Sequence, residues 1–165
     1  MVPVMANISF KRTAQPPLNS SVSLNTMRIG SELQHVDLAV LERSSVGAPN
    51  EGDVRVQVDI ALGQFGGSYD SVWLEGPKLD EFVEGLVQLE RNRSGEALLH
   101  STSPDEFTLK LRSRDNLGHI VVEVALQRHQ YSGPTYWPTK VSGGFELDPT
   151  ELPVIVRQFQ KLAGG

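Results

Sequence analysis

The second half of this chain changes hydrophobic period in a set order, and that order restricts what it can fold into. Over residues 77–91, Leu79, Phe82, Val83, Leu86 and Leu89 fall on one helical stripe. A second stripe follows Asp148, through Leu152, Ile155, Val156, Phe159 and Leu162. Between them the period drops to two: Phe107, Leu109 and Leu111 alternate with Thr108, Lys110 and Arg112, and Ile120, Val122, Val124 and Leu126 repeat the pattern. Asp115-Asn116-Leu117-Gly118 joins these two runs as a hairpin turn. Strands joined by short turns pair antiparallel, and each helix must bury its stripe. The pattern predicts an α+β fold: a twisted antiparallel sheet of about six or seven strands, with two amphipathic helices packed on one face.

The first half adds strands. Val36, Leu38 and Val40 define one buried face, and Val54, Val56, Val58, Ile60 and Leu62 define a cleaner one. Residues 44–52, with Gly47, Pro49, Asn50 and Gly52, read as a loop, residues 63–68 as a turn, and residues 71–75 as a short strand. Trp73 points away from the aliphatic side of that strand. Residues 130–140 read as an aromatic loop, and Gly143-Gly144 as a bulge in the last strand. Gly85, mid-helix, marks a close approach to the sheet, since glycine there costs about 1 kcal/mol against alanine. Asp148, Pro149 and Glu151 form a capping-box start, with Pro153 fitting it imperfectly. Residues 1–26, rich in Pro, Ser and Asn, read as a flexible tail, with Met27 suited to be the natural start and residues 27–165 a single domain.

A chain of 165 residues can bury a sizeable core as one domain. It has no cysteine, which removes disulfides, thiolate metal sites and thiol catalysis. No apolar run approaches the roughly 20 residues needed to span a bilayer, and the first residues lack the basic region of a signal peptide. A cytoplasmic protein without membrane attachment is expected. The formal charge of −5 disfavours nucleic acid and favours a basic protein partner.

Catalytic motifs are missing. The four histidines, His35, His100, His119 and His129, have no metal-ligand spacing, and His119 and Glu123 on one strand would stand roughly 13 Å apart. The glycine-rich segment 63–67 lacks the Lys-Ser/Thr of a phosphate loop, and no nucleophile elbow occurs. No metal, cofactor or catalytic residue is therefore expected. Two surfaces suit a protein partner. Asp80, Glu81 and Glu84 make the first helix locally acidic, and Tyr131, Tyr136 and Trp137 supply aromatic anchors of the kind that dominate interfaces. Each has a bland alternative: a solvated helix face, and rings folded back over the sheet edge.

The chain as a whole resembles the WapI-type family of bacterial immunity proteins, antidotes to polymorphic toxins. The likeness runs from about Arg28 to Leu162. It rests on Trp73-Leu74-Glu75 leading into the Leu79, Phe82, Leu86, Leu89 stripe, then Gly95-Glu96-Ala97-Leu98-Leu99, Gly118-His119-Ile120-Val121-Val122 and residues 144–152. The resemblance implies stoichiometric binding of a cognate toxin, often a basic nuclease, without catalysis. Two rival readings stay open: a small-ligand or carbohydrate module stacking on Trp73, Tyr136 and Trp137, and an enzyme using His119, Glu123 and Asp59.

Overall fold

The computed structural model describes residues 26–164. The chain makes the same move twice: four antiparallel strands, then a helix. Strands β1 (Thr26–Gly30), β2 (Gln34–Arg43), β3 (Val54–Leu62) and β4 (Phe65–Leu74) form one sheet in chain order, and helix α1 (Gly76–Asn92) follows. Strands β5 (Glu96–His100), β6 (Phe107–Ser113), β7 (Ile120–Arg128) and β10 (Thr139–Leu147) form the second sheet in the order β10-β7-β6-β5. A 3-10 turn (Pro149–Glu151) then leads into helix α2 (Leu152–Gly164). A two-stranded ribbon, β8 (Tyr131–Ser132) with β9 (Thr135–Tyr136), is inserted before β10. The tail expected over residues 1–26 lies outside the described residues, apart from Thr26, which opens β1.

The α+β class, the antiparallel pairing and the two amphipathic helices agree with the sequence. Among the described residues the strands differ in number and grouping: ten, in two four-stranded sheets and a ribbon, in place of one sheet of six or seven. The reason is α1. It separates β4 from β5 in the chain and packs against β5, so the two meanders close as separate sheets. Pattern reading also missed β1, where only Met27 and Ile29 supply buried apolar groups.

The glycines explain how the sheets meet. A β-carbon at Gly67 would stand 3.1 Å from Val141 Cγ2, and one at Gly143 would stand 2.9 Å from Leu62 Cδ1. One at Gly30 would reach 2.7 Å from Phe145 Cε2. Strand β10 therefore crosses the end of the first sheet, passing β4, β3 and β1 in turn, and bare backbone is what allows it. This corrects two expectations. Gly66-Gly67 belongs to β4, since the turn is only Gly63-Gln64, with Gly63 at φ 69°. Gly143-Gly144 is not a bulge, because the β10–β7 register is continuous from Thr139↔Arg128 to Leu147↔Ile120.

One buried cluster joins both sheets and both helices. Leu79, Phe82, Leu86 and Leu89 of α1 and Leu152, Ile155, Val156, Phe159 and Leu162 of α2 are all buried, as their spacing predicts. Phe82 and Phe159 meet edge to face at 4.9 Å, which locks the helices together. Gly85 rests on β5, where an added β-carbon would lie 3.0 Å from Ala97. The start of α1 takes its cap from a distant residue: the Gly76 N–H donates to Asp53 Oδ1 at 3.0 Å. Because the helix begins at Gly76, Asp80 and Glu81 fall in its second turn, beyond the strongest part of the end dipole.

Candidate partner-binding surface

The segment expected to be a loop at 130–140 is largely a ribbon. Gly133, at φ 58°, turns the chain ahead of Pro134, and Tyr131 pairs with Tyr136 across the turn. The Trp137 N–H donates to Gln130 O at 2.7 Å and closes the base. The rings of Tyr131 and Tyr136 lie 5.1 Å apart, and His129 stacks on Tyr136 at 5.7 Å with planes 17° apart. The Tyr136 hydroxyl bonds to His129 Nδ1 and accepts from Gln127 Nε2. Tyr131 is 73% exposed, Tyr136 40% and Trp137 61%. The Tyr131 and Tyr136 rings thus form a cluster with His129 outside the core, and Trp137 stands exposed beside it.

Asp80, Glu81 and Glu84 are exposed on the outer face of α1. Glu81 pairs with Lys78 at 3.2 Å, whereas Asp80 and Glu84 have no ion pair among the described residues. Several acids on the sheets are paired, with Arg28 on Asp37, Arg55 on Glu42, Arg112 and Lys110 on Glu123, and Arg114 on Glu146. Asp80 and Glu84 thus place two unpaired carboxylates one turn apart on the exposed face of α1.

The residues of the rival readings are not brought together. Trp73 is half-buried opposite Arg55, its carbonyl taken by the Thr102 N–H, and among the described residues it makes no ring contact with Tyr136 or Trp137. His119 sits in the turn before β7 with Nδ1 2.7 Å from Asp115 Oδ2. Glu123 is held by Arg112 at 2.8 Å, and Asp59, on the other sheet, accepts from Gln57. No group of three or more His, Asp or Glu among the described residues is arranged to hold a metal.

Sequence reasoning missed one feature. A polar cleft of about 450 Å³ is lined by Gln57, Ser68, Tyr69, Asp70, Ser71 and Arg128. Four of these are consecutive in β4, beside the irregularity between Val56 and Val58 in the β3–β4 register. Arg128 comes from the end of β7, directly before His129, so the cleft adjoins the aromatic ribbon. Nothing local in the sequence signals it, because β4 and Arg128 come to line one cleft only when the sheets pack.

An aromatic ribbon, an acidic helix face and a polar cleft are suited to holding a macromolecule. The Immunity protein WapI-like family matches residues 27–163. The chain belongs to this family. The family's role is toxin neutralisation through binding of a cognate toxin, generally without enzymatic activity. No curated protein matches the chain. Among the described residues no helix is long and apolar enough to cross a membrane.

Proposed function

We propose that this immunity protein neutralises its toxin in the cytoplasm by stoichiometric occlusion, and that the toxin is a basic nuclease of the polymorphic type. The observation that carries this reading is the ribbon: Tyr131 and Tyr136 held outside the core by ring contacts and hydrogen bonds, with Trp137 exposed beside them. Large apolar rings kept ordered in water have little value to folding and much to association. Tyr131, Tyr136 and Trp137 serve as anchors. Asp80, Glu81 and Glu84 steer the encounter, because acidic charge left unpaired on α1 extends its field into solvent. A net charge of −5 favours the same partner.

The test is co-expression with the toxin domain encoded immediately upstream. Growth should be restored, and the two chains should co-purify at one to one with nanomolar affinity, as for other tight standard-size interfaces. If the toxin stays active in the presence of excess purified protein, the reading is wrong.

A further inference from the structure

The four sheet edges are unlike one another. Among the described residues β1 and β5 are each five residues long, and both carry charged side chains at the edge. β10 is longer but carries Lys140 and Glu146, follows Pro138, and is spent crossing the first sheet. β4 has ten residues, no proline and a single charge, Asp70. Natural proteins blunt free edges with short strands, lysine, proline or a cover, because unpaired backbone groups recruit other chains. β4 has few of these protections. Beyond its ladder with β3, the Asp70 carbonyl is taken by Arg55 and the Trp73 carbonyl by Thr102, while the backbone of Phe65–Tyr69 makes no further hydrogen bond among the described residues.

The surroundings of this edge add side-chain specificity. The cleft wraps residues 68–71, and Arg128 at its wall has no ion pair among the described residues. Phe65, 77% exposed, lies at the start of the strand, and the aromatic ribbon begins three residues after Arg128 in the chain. An extended peptide laid along Phe65–Ser71 would satisfy the free backbone, with alternate side chains directed toward the cleft.

We propose that β4 is the docking edge for the toxin: an extended segment of the toxin adds as a fifth antiparallel or parallel strand, with a carboxylate side chain seated against Arg128. This rests on the toxin-binding reading above and assigns it a place. The guanidinium argues for the carboxylate, since a planar, unpaired donor fork in a cleft matches it in charge and shape.

The experiment is amide exchange of the full chain followed by NMR at single-residue resolution, with and without the upstream-encoded toxin domain. Alternate amides within 65–71 should slow at least roughly tenfold in the complex, because strand addition occupies every second N–H. Arg128→Glu should weaken binding by about ten- to a hundredfold, and Arg128→Lys by much less. A complex that forms with unchanged exchange over 65–71, or with parental affinity for Arg128→Glu, overturns the docking edge and leaves toxin binding intact. Failure to form any complex overturns both.

Discussion

At Gly85 the missing side chain is what lets α1 lie flat on β5. A β-carbon would stand 3.0 Å from both Cα and Cβ of Ala97 and 3.3 Å from Glu96 O, and the two backbone atoms among these cannot rotate away. Helix propensity favours every residue but proline over glycine here, so packing has outweighed it. Gly85→Val should therefore destabilise the fold by about 2 kcal/mol through overpacking, measured by urea unfolding with an unchanged m-value. Trp137 illustrates the opposite case. Its ring lies outside the core and is 61% exposed, so Trp137→Ala should leave the unfolding midpoint unchanged. It should weaken toxin binding by more than about 1 kcal/mol in calorimetric titration. Equal affinity would mean the ring lies off the interface.

At the scale of elements, α1 divides its labour by face. Its buried stripe was legible in the sequence because 3.6-residue periodicity survives whatever the helix packs against. Its polar face became meaningful only when Asp80 and Glu84 proved exposed and without an ion pair among the described residues, while acids such as Glu42 and Glu123 proved paired. Replacing both, Asp80→Lys with Glu84→Lys, should slow association with a basic toxin roughly tenfold at low ionic strength, an effect that shrinks as salt screens it. Stopped-flow fluorescence measures this, and a rate indifferent to the double substitution would move the steering surface elsewhere. The start of α2 shows a different kind of legibility. Asp148 was expected as the cap and does accept from the Thr150 N–H at 2.9 Å, yet the turn it closes is 3-10. That turn places Pro153 in the first turn of α2, where a missing N–H costs little.

For the whole molecule, the titration of a few carboxyls sets how stability responds to acid. The Thr150 backbone and hydroxyl hold the Asp148 carboxyl below its ordinary value. Asp115 is also lowered: partial desolvation acts against it, but the His119 ring and the Leu117 and His119 amides outweigh that. Glu151 is raised by burial and by the charge of Asp148, with the Asp148 amide opposing. A lowered carboxyl stabilises the fold above its unfolded value and ceases to do so as pH falls through its folded value. A raised one does the reverse, favouring the fold below its folded value and losing that as pH rises. Asp148→Asn should accordingly lower the thermal midpoint at pH 7, with the gap to the parent closing as pH falls through the lowered value of the folded carboxyl. Calorimetry across that range checks it, and a gap independent of pH would assign the effect to the amide geometry alone.

What the sequence determined by itself was periodic and local: the two helical stripes, the β3, β6 and β7 faces, the Asp115–Gly118 turn and the Asp148 cap. Each depends on residues a few positions apart, whose relation is set before the chain folds. The tertiary structure alone decided the split into two sheets, the role of Gly67 and Gly143 under a crossing strand, the capping of α1 by Asp53, and the cleft between Asp70 and Arg128. Those depend on groups separated by tens of residues, and no local pattern encodes a distance between elements that meet only when their apolar faces are buried together.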